Sequence, residues 1–329
     1  MKALAIGVSF DGFQPLATSL EIAREAVAAG AKSLWMAEHL GYREPMTSCM
    51  AFALSFPSVK VVPTAISPYL RHPTPTAMAL ATIAEANYGH AALAVGVGNP
   101  MFLGESGIEI EKPLRVVRES VDMLRALWAG EPVRRAGMLH SLRGARLAFA
   151  PPKPIPIYLA PMKEQMLRLS GKIADGVVLS AGLSSAFVSH SLGFVDDERA
   201  RSAEQRPFVK AGYVYFMATR DPRRGISTLR MKLAFLMRNR YIDDNIAHSG
   251  LPINQAAIMD AIARRDFDEA ARLVPEEAVE AFAIAGTVAE CERKIAAFAS
   301  AGLDEIVLIM AGEPEDWTVG YEVIRRVAQ

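Results

Sequence analysis

One rhythm constrains this sequence more than any other feature. Short apolar runs of strand length return eight times, separated by longer segments whose apolar residues recur at helical spacing. The runs cover residues 3–9, 33–39, 59–67, 91–98, 155–160, 176–181, 209–218 and 305–311. Most are continuous rather than alternating, as expected of strands covered on both faces. Between them, segments 16–29, 74–87, 113–129, 163–173 and 287–301 carry the helical period. Gly30, Gly89, Gly130 and Gly302 stand where C-terminal helix caps belong. Strand and helix in strict alternation specify an α/β chain with a parallel sheet.

Eight such units predict a (β/α)8 TIM barrel. Two stretches break the rhythm: 133–149, read as a short hairpin excursion, and 223–282, read as a helical insertion after strand seven. A barrel of roughly 250 residues with these two insertions accounts for the whole length, so residues 1–329 are expected to form one domain. An open doubly wound sheet is the alternative, but the chain lacks a dinucleotide fingerprint. In the insertion, Met231, Leu233, Phe235, Leu236 and Met237 read as core or subunit contact rather than as a cofactor box.

Composition narrows the function. Lys plus Arg and Asp plus Glu number 36 each, so no net charge favours a polyanion, and nucleic acid is not expected as a partner. No run approaches the ~18 apolar residues of a membrane span, and the first residues lack a signal-peptide pattern, so a cytoplasmic protein is expected. Cys49 and Cys291 fit neither metal-ligand nor redox spacing and read as reduced thiols. A homodimer or higher homo-oligomer through the barrel helices is expected.

Barrel enzymes carry their chemistry at the C-terminal strand ends and the loops that follow. Here those ends read Ser9-Phe10-Asp11, Glu38-His39, Ser67-Pro68-Tyr69, Gly98-Asn99, Ala160-Pro161, Ser180-Ala181-Gly182, Ala218-Thr219 and Met310-Ala311. None ends in Lys, so a Schiff base lacks its nucleophile, and Asp11, Glu38 and His39 are too few for a two-metal cage. Two opposed carboxylates of the glycosidase kind do not stand out either. What is left is a mouth of small and apolar residues, suited to a planar ring whose own atoms do the hard chemistry. His39 has two readings, a proton-transfer group facing the mouth or a histidine satisfied by Glu38 beneath a loop. Pro63 to Pro68 places two prolines in a central strand, which calls for a bulge or distortion.

These residues resemble the luciferase-like monooxygenase superfamily, and within it the deazaflavin-dependent methylenetetrahydromethanopterin reductases. The likeness is carried in order by Ser33-Leu34-Trp35-Met36-Ala37-Glu38-His39, Ser67-Pro68-Tyr69-Leu70-Arg71-His72-Pro73, Leu93-Ala94-Val95-Gly96-Val97-Gly98, and Gly107-Ile108-Glu109-Ile110-Glu111-Lys112-Pro113-Leu114. It continues through Ile155-Pro156-Ile157-Tyr158-Leu159, Ile173-Ala174-Asp175-Gly176-Val177 and Ala281-Phe282-Ala283-Ile284-Ala285-Gly286-Thr287. The resemblance implies a deazaflavin (coenzyme F420) or FMN lying across the mouth on strands two to four. It also implies a non-prolyl cis peptide at the end of strand three, at Thr64–Ala65 or next at Ala65–Ile66.

Carried over by position, His39 with Glu38 would serve proton transfer, and Thr64, Ala65 and Ile66 would back the ring. Gly98 and Asn99 would line the ring or the substrate side. Backbone N–H groups following strands five and six, where Ala160, Pro161, Ser180, Ala181 and Gly182 lie, would hold the cofactor phosphate, and Lys163 would either add charge there or stand as a solvated surface lysine. Ser9 replaces a carboxylate common in the reductases, and Pro100-Met101 replaces a polar turn, changes that alter substrate contacts without touching the barrel.

The functional expectation is hydride transfer between bound coenzyme F420 and a small organic substrate. An FMN-dependent monooxygenase using oxygen is the first alternative, and a non-catalytic flavin-binding barrel is the second.

Overall fold

The computed structural model describes residues 4–202 and 206–328. Its strands are β1 (Ala5–Phe10), β2 (Ser33–Ala37), β3 (Lys60–Thr64), β4 (Leu93–Val95), β5 (Val133–Ala136), β6 (Ser141–Ala145), β7 (Ile157–Leu159), β8 (Gly176–Leu179), β9 (Val209–Ala218), β10 (Ala283–Gly286) and β11 (Glu305–Met310). Eight of them run side by side in the order β3-β2-β1-β11-β9-β8-β7-β4. Parallel bridges Val61–Ala91 and Ile66–Val95 bring the two ends of that sheet together. The chain is therefore a (β/α)8 barrel. Residue 3, where the first run was placed to begin, lies outside the described residues.

The hairpin is β5 against β6, antiparallel. Helices fill the stretch after β9, from Pro222–Met237 through Glu276–Phe282. Two details differ from the sequence reading. Several strands stop earlier than their apolar runs, β2 at Ala37 and β3 at Thr64 among them, so the ends of those runs form mouth loops instead. Also, β10 pairs in parallel with the last residues of β9, a ninth strand of the sheet that four residues straight after a helix did not announce.

Local chemistry sets the boundaries. Among the described residues six helices open on proline, including Pro45–Ser55, Pro73–Ala86 and Pro113–Trp128, where the missing N–H costs nothing and φ is already helical. Gly30, Gly89, Gly130 and Gly302 all take positive φ and turn the chain out of its helix, as their positions implied. No helix among the described residues is long and apolar enough to cross a membrane.

Strand alternation sorts side chains between an outer layer under the helices and the barrel interior. The interior packs Trp35, Val62, Ala92, Ala94, Tyr158, Val178, Ala211 and Val307. At the end where the strands begin, this interior is polar as well. Glu305, whose side chain is 2% exposed, pairs with Lys60 at 2.5 Å and accepts hydrogen bonds from Ser33 Oγ and from Trp35 Nε1 at 3.1 Å. The Glu305 carboxylate holds the Lys60 ammonium above its ordinary range although burial alone would lower it. A Cβ on Gly7 would stand 2.5 Å from Ser33 Oγ and 2.8 Å from Trp35 Nε1, so only glycine fits beside this cluster. Leu233 and Met237 of the insertion are buried in a separate apolar cluster with Met217 and Ile258, as core residues. Both cysteines are buried and unpaired.

Candidate active site

At the other end of the same strands the interior is empty. A cavity of about 690 Å³ opens there, within the roughly 300–1,000 Å³ usual for small-molecule and cofactor sites. Its floor is the next turn of the strand alternation: Ala37 two residues beyond Trp35, Thr64 beyond Val62, Gly96 beyond Ala94, Ala160 beyond Tyr158 and Ser180 beyond Val178. Bulky residues below and small ones above leave the floor open. A Cβ on Gly96 would lie 2.8 Å from the Ala65 Cβ and 3.4 Å from the Ala160 Cβ, so glycine lets β3 and β4 close beneath the cavity. The Thr64–Ala65 peptide is cis, at the first of the two positions implied above.

His39 lines this cavity, and its Nδ1 stands 2.9 Å from the Asp11 carbonyl oxygen. A carbonyl only accepts, so Nδ1 carries the proton and Nε2 of the neutral ring is left as an acceptor. Phe13 and Phe102 flank the imidazole, with ring centroids 5.3 and 6.1 Å away. Of the two readings of His39, satisfaction by Glu38 has no support in this geometry.

Glu38 also lines the cavity, but both its oxygens are engaged. One accepts the Ser67 N–H at 2.8 Å and the other the Arg71 Nε–H at 2.9 Å, with the side chain only 4% exposed. Burial outweighs both bonds and holds this carboxyl above its ordinary range. Arg71 reaches on to Glu44 at 2.7 Å, and Ser67 Oγ donates to the Val97 carbonyl at 2.7 Å. Glu38 therefore ties the loops after β2, β3 and β4 into one frame around the mouth.

The remaining residues named from the sequence divide. Thr64, Ala65, Gly98, Asn99, Ala160 and Ser180 line the cavity. Ile66, Pro161, Ala181 and Gly182 do not. Ile66 is buried, with its backbone bridged to β4. Pro161 is buried and has no N–H to offer. Ala181 is buried, and Gly182 faces Leu236 while its carbonyl accepts from the Asn245 amide. Asn99 spends its side-chain oxygen on the Met101 N–H, capping the short helix Pro100–Glu105. Lys163 lines the cavity but is paired with Asp243 at 2.5 Å and Asp244 at 2.8 Å, which fastens the insertion to the rim.

Several lining residues escaped the sequence reading: Lys112, Arg115, Gln165, Asn239 and Tyr241. Asn239 and Tyr241 lie far along the chain and gave no signal. Lys112-Pro113 did give one, since it opens a helix directly after the strand-four loop.

A family model described as luciferase-like monooxygenase matches residues 5–305. The chain belongs to that family and is an oxidoreductase of it. A 5,10-methylenetetrahydromethanopterin reductase from Methanolobus tindarius is 26% identical over 94% of both chains. Among solved structures, the coenzyme F420 dependent tetrahydromethanopterin reductase from Methanopyrus kandleri superposes with a TM-score of 0.89 at 21% identity, over 99% of this chain and 98% of that one. An F420-dependent secondary alcohol dehydrogenase in complex with an F420-acetone adduct gives a TM-score of 0.81 at 18% identity, with 99% of both chains covered.

Proposed function

We propose that this protein transfers a hydride between bound coenzyme F420 and a small organic substrate in the class of pterin-linked one-carbon units. The observation that carries this reading is the cavity floor: Ala37, Ala65, Gly96 and Ala160 make a smooth apolar bed beside an imidazole with a free acceptor nitrogen. A flat ring fits such a bed, which stays tight because Gly96 carries no Cβ to push against Ala65 and Ala160. The reductase and dehydrogenase relatives support the choice of deazaflavin over flavin.

When bound, the deazaflavin ring supplies a two-electron hydride carrier. The residues of this chain supply the rest. Asp11 fixes the His39 tautomer, and Nε2 holds or returns a proton at the ring edge. Ile110, Leu114, Met162 and Met166 wall the cavity and exclude water, so that two reactants meet at close range. Glu38 acts as a positioning residue through Ser67 and Arg71. Ser180 and Ala160 are the candidates to approach the cofactor phosphate, and the loops behind them shape that end.

Anaerobic turnover of reduced coenzyme F420 with a methylene-tetrahydropterin tests the reading. His39→Ala should lose roughly a hundredfold in turnover while still taking up the ring. Oxygen consumption with reduced FMN, and none of the anaerobic reaction, would favour the monooxygenase alternative that the family description keeps in view. We also infer a homo-oligomer. The outer helices Pro45–Ser55 and Pro73–Ala86 carry Glu85 as their single charged residue and expose Leu54 and Met78. Sedimentation as a monomer would contradict that.

A further inference from the structure

The ionisable groups around the cavity do not balance. Its carboxylate, Glu38, is neutralised by Arg71, and the Lys163 ammonium by Asp243 and Asp244. Two cations remain. Lys112 lines the cavity and has no ion-pair or side-chain hydrogen-bond partner among the described residues. Arg115 lines it as well, and only its Nε is committed, to Glu119 at 2.7 Å, which leaves both terminal nitrogens for a ligand. The acids nearest in sequence, Glu109 and Glu111, are exposed and absent from the cavity wall, whereas Ile110 and Lys112 line it.

That segment is anchored. The Tyr69 hydroxyl donates to the Glu111 carbonyl at 2.5 Å, tying it to the post-β3 loop that Glu38 holds. Lys112 itself sits at φ 46°, a left-handed conformation uncommon for a residue with a side chain.

We propose that Lys112 and Arg115 form an anion-recognition site at the rim, taking a carboxylate or phosphate group on the part of a bound reactant that extends beyond the reacting ring. The proposal rests on the hydride-transfer reading, and nothing in the sequence reading assigned these two residues. The oxyanion has two possible carriers, the side chain of the cofactor and the side arm of the second substrate. Rim charges of this kind act through complementarity and salt-sensitive capture rather than through the chemical step.

The test uses the full chain, unaltered and as the double variants Lys112→Glu/Arg115→Glu and Lys112→Gln/Arg115→Gln. Both positions are exposed, and circular dichroism checks the fold. One arm titrates coenzyme F420 against its ring-and-ribityl fragment cut before the phosphate. The other adds, to cofactor-loaded protein, a tetrahydropterin with a carboxylate-terminated side arm or the same pterin without it. The expected result is a loss of about tenfold or more in affinity for the acidic member of one pair on charge reversal. The neutral variant should lose less, and the uncharged counterpart should change less than twofold. The pair that responds identifies the carrier. Equal losses for acidic and uncharged members, or no loss in either pair, overturn the rim site while ring uptake stands. Failure of the unaltered protein to take up any ring overturns the reading beneath it, and the rim site with it.

Discussion

The two ends of this barrel are built from the same strands and do opposite things. Where the strands begin, inward positions hold Ser33, Trp35, Lys60, Tyr158 and Glu305, a filled and hydrogen-bonded plug. Two or four residues further along, the same alternation presents Ala37, Thr64, Gly96, Ala160 and Ser180, and the interior is open. Side-chain size along one face thus separates a stability end from a binding end, a division general to the barrel architecture. Both ends bury a carboxylate, but to different purposes. Glu305 satisfies the plug, and Glu38 braces the loops that define the mouth.

The comparison breaks if changes at one end produce the other end's phenotype. The largest effect is expected at the plug. Lys60→Ala leaves Glu305 without its counter-charge in the interior, and because Lys60 keeps 27% of its side chain exposed the loss should be about 2 to 3 kcal/mol, below the range for a fully buried pair. Chemical denaturation measures it, and ring uptake per folded molecule should be unchanged. At the mouth, Ala160→Leu places a branched side chain on the floor. It should weaken ring uptake about tenfold with a shift in unfolding free energy under about 1 kcal/mol.

The smallest effect belongs to the brace. Glu44 caps the helix Pro45–Ser55 through the Met46 and Thr47 N–H groups and also pairs with Arg71. Burial by itself would raise its carboxyl, but the Thr47 and Met46 N–H groups and Arg71 outweigh burial and hold it below the ordinary carboxylate range. Glu44→Ala should cost about 1 kcal/mol at neutral pH. With its pKa depressed in the folded state, the stabilisation is complete above the ordinary carboxylate range and disappears as the pH falls through the folded value. Unfolding curves of the variant and the unaltered protein should therefore converge in acid. A gap that widened there would mean that the cap is not held as an anion.

Much of the fold was legible because burial on both faces writes each barrel strand as a continuous apolar run, and because proline and glycine mark helix starts and ends. β10 was not legible, since Ala283–Gly286 follows a helix without a turn signal and takes its strand character from pairing with β9. Small residues at the mouth were visible as strand ends, and His39, Thr64, Ala65, Gly98 and Ala160 do come together. Partnerships across the chain were not visible. Glu38 reads as an acid beside a histidine until Arg71, 33 residues on, is seen to take it. Likewise Lys163 reads as a solvated charge until Asp243, 80 residues on, closes over it. Ile66, Pro161, Ala181 and Gly182 were named from the family resemblance at the strand ends, and none of them lies in the cavity wall.

The central claim is that the open end takes up a tricyclic ring on its small-residue floor. Anaerobic titration of the unaltered protein with coenzyme F420, and separately with FMN, followed by ring absorbance and fluorescence, tests it directly. The account predicts saturable uptake of one ring per chain, with the deazaflavin bound more tightly than FMN. A titration in which neither ring's spectrum responds to added protein would contradict it.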